Sequence, residues 1–212
     1  MKQRRARAFR PHLRAIAAAF FALAAAARAA EPARFRLAPE SRFEVKTKTA
    51  GLFGGLAHEH VVRAARFSGT IVWAPDAPAA CSVEIEIDAE ALVIADQGID
   101  EDERREIAQT MRGKDVLDVA RWKTISFRST EVRRSGSELR VRGALTLHGT
   151  TRMVEAPAVV SLEPNGRLRA RGSFFFRQSD FGIEPYSAGL GTIKVADEVE
   201  LLFDAYGLPS RE

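Results

Sequence analysis

The chain has 212 residues, 46% of them apolar and 28% charged. That is ordinary globular composition, and it excludes collagenous, low-complexity and disordered chains. A pI near 9.6 and a net charge of +4 suggest a nucleic-acid binder, but the basic excess is confined to one end.

Residues 1–29 hold Lys2, Arg4, Arg5, Arg7, Arg10, Arg14 and Arg28 and no Asp or Glu, whereas the remainder carries 25 basic residues against 28 acidic ones. A basic head, the 13-residue apolar run Ala15–Ala27 and the small-residue sequence Ala27-Arg28-Ala29 match the three regions of a secretory signal peptide. The run is too short to cross a bilayer as a helix. Cleavage is expected after Ala29, leaving residues 30–212 as one exported, mildly acidic domain. It lacks the basic stripes that neutralise phosphates, so nucleic acid is not an expected partner. The single cysteine, Cys81, excludes an intrachain disulfide and a thiolate-rich metal site.

From residue 42 onward, apolar and polar residues alternate. Phe43, Val45, Thr47 and Thr49 share one face of a predicted strand, and Val83, Ile85 and Ile87 one face of the next. Asp100–Gly113 breaks the pattern. Asp100 with Glu103 forms a capping-box signature, acidic residues crowd the first turn, and Ile107 and Met111 sit at i, i+4. This predicts a short helix laid on the sheet, with a second turn at Asp115–Val119. Alternation then resumes. Its inward sets are Ile125 and Phe127, then Leu139, Val141, Gly143, Leu145 and Leu147, then Leu168, Ala170, Gly172, Phe174 and Phe176, and last Val199, Leu201 and Phe203. Phe175 is expected outside, under the helix or at a subunit contact. Pro75-Asp76, Ser135-Gly136 and Pro164-Asn165-Gly166 supply turns, the last a hairpin signal.

Many strands with one wet face each and a single helix predict a sandwich or an up-and-down barrel. Large inward residues beside Gly143, Ala170 and Gly172 could write an apolar cavity or a filled taper, and the pattern leaves both open.

The polar constellations carry less. His58 and His60 lie two apart and would share one face of a strand, where His148 or a carboxylate could complete a metal site; a loop-to-strand junction is the plainer reading. His148 precedes Gly149 at a hairpin end, which suits a turn. Asp180-Phe181-Gly182 has the letters of a kinase magnesium motif but none of its companions, so a turn after the Phe174–Phe176 strand is expected. Gly189-Leu190-Gly191 is too little for a nucleotide loop. No G-x-S-x-G elbow occurs, and nothing points to enzymatic chemistry.

Four segments carry a family resemblance. Thr124-Ile125-Ser126-Phe127-Arg128-Ser129 is similar to the P-T-I-T-F-K-S strand of the YceI-like family. Leu145-Thr146-Leu147-His148-Gly149-Thr150-Thr151 resembles its L-T-L-H-G-V-T segment. Ser179-Asp180-Phe181-Gly182-Ile183 resembles its S-D-F-G-I, and Asp197-Glu198-Val199-Glu200-Leu201 its terminal D-E-V-E-L. Order and spacing agree over roughly residues 33–206. The chain departs from the pattern at Glu40-Ser41 (usually His-Ser), at Arg104-Arg105-Glu106-Ile107 (usually R-D-x-H-L) and at Lys123 (usually Pro), and it carries an extra segment Gly51–His60.

The resemblance implies an all-β fold, an eight-stranded antiparallel lipocalin-like barrel with a short helical insertion, in a periplasmic protein. It also implies a polyisoprenoid or isoprenoid quinone in the barrel and no required cofactor. On that reading the ligand walls are Phe43, Val45, Ile85, Ile87, Ile125, Phe127, Leu145, Leu147, Phe174, Phe176, Leu201 and Phe203. His58, His60 and Asp180 are the mouth candidates. The expected partner is a hydrophobic small molecule. Transient contact with a membrane or membrane protein, a homodimer, a His58/His60 metal site and an accessory role in quinone electron transfer stay open.

Overall fold

The computed structural model describes residues 31–50, 59–188 and 193–210. The expected signal peptide, His58 and Gly189-Leu190-Gly191 lie outside the described residues.

The described chain forms, in order, β1 (Ala33–Leu37), β2 (Arg42–Lys46), β3 (Thr49–Ala50), β4 (Val61–Ala64), β5 (Phe67–Trp73), β6 (Ser82–Asp88), β7 (Leu92–Ile94), helix α1 (Glu101–Arg112), β8 (Thr124–Ser135), β9 (Glu138–Leu147), β10 (Thr150–Leu162), β11 (Leu168–Arg177), β12 (Ser187–Ala188), β13 (Ile193–Val195) and β14 (Glu198–Pro209). Eight of these strands close a ring in the order β1-β5-β6-β8-β9-β10-β11-β14, with β14 returning to β1. Every pairing is antiparallel. The architecture is therefore a closed barrel with one short helix. Closure gives every strand of the ring a paired neighbour on each side over at least part of its length.

Three strands of the ring are broken and splay at one end. β2 continues β1 along β14, β4 precedes β5, and β7 follows β6, so β2-β4-β7 forms a flap off β14. The break between β1 and β2 is held by Ser41, which is 5% exposed. Its hydroxyl accepts from the Tyr206 N–H at 2.9 Å and donates to the Tyr206 carbonyl at 3.2 Å. Glu40, where the family has histidine, instead accepts from Arg167 at 2.5 Å.

Helix α1 packs on β7. Asp100 caps it by accepting from the Glu103 N–H at 2.8 Å, as the capping signature predicts. Met111 is buried beneath it as the i, i+4 spacing predicts, Ile107 is partly buried against the same core, and Ala108, which the spacing did not single out, is buried too. Arg104 donates to the Ile94 and Asp96 carbonyls at 2.7 and 3.1 Å, and Arg112 to the Leu92 carbonyl at 2.5 Å. The guanidinium groups thus satisfy main-chain acceptors on the last strand of the flap.

The registers align the inward residues in rows. Ile85 faces Phe127, and Phe127 faces Leu145; Gly172 faces Phe203, and Phe203 faces Phe43; Phe174 faces Leu201, and Leu201 faces Val45. Gly143 and Gly172 leave less room than their size suggests. A Cβ at Gly143 would lie 2.6 Å from the Phe127 ring, and one at Gly172 2.6 Å from the Phe203 ring. Those two aromatic rings fill the space, and Ala170 faces the open part of the interior. Phe175 is 53% exposed, with the Lys48 ammonium 5.9 Å from its ring centre. It lies outside, as alternation predicts, but α1 covers β7 instead.

The barrel ends differ. At one end the chain turns tightly between β8 and β9 and between β10 and β11. At the other lie the connections 47–60, 95–123 and 178–197, which carry β3, α1, β12 and β13.

Candidate functional site

The barrel encloses an elongated cavity of about 130 Å³, roughly ten times what one water molecule requires. Its wall runs from Trp73, Cys81 and Val132 at the tight-turn end to Ile87, Ile125 and Phe174 toward the other. No charged residue lines it, and Cys81 and Ser126 are its small polar side chains. A void with such walls stays dry unless something apolar fills it. The Cys81 sulfur accepts from the Ala74 N–H at 3.3 Å, and burial pushes its thiol pKa up, so this sulfur is protonated at neutral pH.

Nine of the twelve wall residues expected from sequence line this cavity: Phe43, Ile85, Ile87, Ile125, Phe127, Leu145, Phe174, Leu201 and Phe203. Three do not. Val45 sits off the cavity, in the row with Val62 and Ile94 where the flap leaves the barrel. Leu147 and Phe176 point inward but pack on Phe181 and Ile183. The wall also holds residues the sequence reading passed over, among them Ile71, Trp73, Val132, Ala156, Ala158 and Val160. The alanines and Val160 come from β10, where Pro157 interrupts the strand signature.

The mouth candidates sit elsewhere. His58 lies outside the described residues. Asp180 is exposed on a short turn and touches no part of the cavity. The His60 ring bonds through Nδ1 to Asp96 at 2.6 Å, and the second Asp96 oxygen accepts from the Val61 N–H at 2.5 Å. His60 therefore joins the start of β4 to the end of β7. Among the described residues no group of three His, Cys, Asp or Glu side chains could hold a metal.

The residues of the S-D-F-G-I segment take a different position. Beyond Val159–Arg171, β10 and β11 stop pairing: residues 150–158 are registered only with β9, and residues 172–177 only with β14. Pro157 stands at the fork. It has no N–H to donate, and its carbonyl crowds Gly172, whose Cβ would lie 2.0 Å from it. Into the gap folds the turn Gln178–Ile183. Phe181 and Ile183 are 1% and 2% exposed and pack with Leu145, Leu147, Val154, Phe174 and Phe176. Because Leu145 and Phe174 also line the cavity, this wedge is separated from it by a single layer of side chains. Gly182 ends the turn at φ +73°, and the hairpin His148-Gly149 at φ +50° and +70° brings His148 Nδ1 to 3.4 Å from the Phe181 carbonyl.

Asp197 anchors the wedge. Its carboxylate accepts from the Ser179 hydroxyl at 2.6 Å and the Ser179 N–H at 2.8 Å. These bonds, the hydroxyl first, hold its pKa below the usual carboxylate range. A depressed folded pKa contributes stability that is complete above the unfolded value, near pH 3.9, and is lost as pH falls through the folded value. Ser179→Ala is therefore expected to melt several degrees below the parent chain near neutral pH, and the two melting curves should converge near pH 2. Thermal melts followed by circular dichroism across that range check this.

A profile of the YceI-like domain matches residues 38–206. A UPF0312 protein of Vibrio cholerae is 32% identical over 133 residues, which cover 58% of this chain and 64% of that one. A UPF0312 protein of Pseudomonas aeruginosa is 36% identical over 103 residues, covering 46% and 51%. The chain thus spans less than two thirds of the length of these relatives. Among solved structures, Burkholderia cenocepacia BcnA superposes with a TM-score of 0.65 at 22% identity, covering 79% of this chain and 96% of that one. A polyisoprenoid binding domain from Saccharophagus degradans, implicated in plant cell wall breakdown, superposes at 0.59 with 14% identity, covering 85% and 100%. Both likenesses are of fold.

Proposed function

Since the chain belongs to the YceI-like domain family, we propose that it is an exported, non-enzymatic carrier that shelters the tail of a polyisoprenoid or isoprenoid quinone inside its barrel. The observation that supports this is the cavity: an interior lined from one end of the barrel to the other without a charged residue. A prenyl chain is insoluble in water, and each carbon moved from water into such a wall is worth about 0.8 kcal/mol, so one five-carbon isoprene unit contributes about 4 kcal/mol. The elongated shape suits a chain better than a compact ring system. The polyisoprenoid binding domain of Saccharophagus degradans, which shares this fold, agrees in ligand class. Export to the periplasm belongs to this proposal and is supported by the signal-peptide pattern of residues 1–29.

Extraction of the purified protein with organic solvent, followed by mass spectrometry of the extract, tests it. A prenyl lipid near one per barrel is the expected result, with the loaded species visible in native mass spectra. An empty extract, together with no uptake of added ubiquinone, overturns the reading.

A further inference from the structure

The gap between β10 and β11 opens on a part of the surface unlike the rest. Met153 and Val159 on β10 and Phe175 on β11 point outward beside it and are 49%, 43% and 53% exposed. The outward positions of strands β9 to β11 carry Arg140, Arg142, Arg169, Arg171 and Arg177 against Glu138 and Glu155. Two of these charges are spoken for: Glu155 is held by Arg133, and Arg169 by Asp204. Glu198 and Glu200 on β14 border the face on one side. Residues 30–212 as a whole carry an acidic excess, so this basic face is local.

We propose that this face docks on an anionic lipid bilayer, and that a prenyl lipid enters the barrel sideways through the β10–β11 gap when the Phe181–Ile183 wedge swings out. The inference rests on the carrier reading above. Arginines interspersed with exposed apolar side chains match the two layers of a bilayer surface, phosphate outside and hydrocarbon beneath. Along this gap no strand ladder among the described residues must break for a chain to pass. The wedge is tied there by the packing of Phe181 and Ile183 and by polar contacts that include Ser179 to Asp197, and not by a strand ladder. Lateral passage keeps the prenyl tail out of water throughout, because bilayer, wedge cluster and cavity are contiguous apolar regions.

Co-sedimentation with vesicles tests the docking. The chain is expected to bind phosphatidylcholine vesicles containing phosphatidylglycerol, to bind pure phosphatidylcholine far less, and to be released by salt. Arg142→Gln with Arg171→Gln should weaken binding about twenty-five-fold, at about a factor of five for each charge. Arg36→Gln with Arg66→Gln, away from this face, should leave binding unchanged. Met153→Asp with Phe175→Asp should abolish it. Transfer of nitrobenzoxadiazole-labelled geranylgeraniol from the anionic vesicles into the barrel, read by fluorescence, should speed up several-fold in Ser179→Ala.

Equal binding to neutral vesicles, equal loss in the control pair, or an unchanged transfer rate overturns the proposal. Binding that requires a membrane protein also overturns it. Uptake of the labelled alcohol from detergent without any vesicle binding overturns the docking and leaves the carrier reading standing. No uptake by either route overturns the carrier reading itself.

Discussion

Ala170→Phe is expected to abolish prenyl-lipid uptake while leaving the protein folded and at least as stable. Ala170 lines the cavity on β11, and a phenyl group there would occupy space the ligand needs. Displacing one isoprene unit removes about 4 kcal/mol of burial, about a thousandfold in Kd. Filling an unoccupied apolar void adds contacts the parent chain lacks, so the melting temperature of the unloaded protein should stay level or rise. Fluorescence titration with a labelled prenyl alcohol, paired with thermal melts, reads both effects. Parental affinity in a stable Ala170→Phe protein would mean that the ligand lies elsewhere.

Gly172→Val, two residues along the same face of the same strand, should do the opposite. Its Cβ would meet the Pro157 carbonyl oxygen at 2.0 Å and the Phe203 ring at 2.6 Å. The ring can turn, but the carbonyl is backbone and its strand is paired to β9 on the other side. Relief requires β11 to shift against β14, along a ladder running from Leu168–Gly207 to Arg177–Glu198. Overpacking of this kind costs about 3 kcal/mol or more, a large part of the stability of a domain this size. Urea denaturation should show a midpoint lowered by about 1 M or more, or a protein that does not fold. A midpoint equal to that of the parent chain would contradict the close approach of β10 and β11 at the fork.

The contrast between these two neighbours marks what the sequence could tell. Alternation along β6, β8, β9, β11 and β14 is plain because large apolar residues recur on one face, interrupted only by small ones such as Gly143, Ala170 and Gly172. The helix was equally plain in its cap and acidic first turn. β1, β5 and β10 were hidden for local reasons. β1 offers only Phe35 and Leu37, Gly69 interrupts β5, and β10 buries alanines and contains a proline. Which small inward residues meet empty space and which meet a ring depends on the rotamers of Phe127 and Phe203 across the ladder, and no one-dimensional pattern holds that information. The same limit misplaced Leu147 and Phe176. Their parity put them inside correctly, but the wedge that takes up their contacts comes from a later loop. The recurring Ser-Asp-Phe-Gly-Ile segment signalled a turn, yet nothing local to it showed that a proline twenty-odd residues earlier had left a gap for Phe181.

The arginines of α1 have a consequence for life in a crowded compartment. A three-residue ribbon such as β7, ending a run of strands, would ordinarily offer its free carbonyls as a template on which a neighbouring molecule could zip up. Arg104 and Arg112 already occupy the carbonyls of Ile94 and Leu92. Helix α1 therefore shields this edge from pairing with another chain, through Arg104, which matches the arginine of the R-D-x-H-L pattern, and Arg112, which lies beyond it.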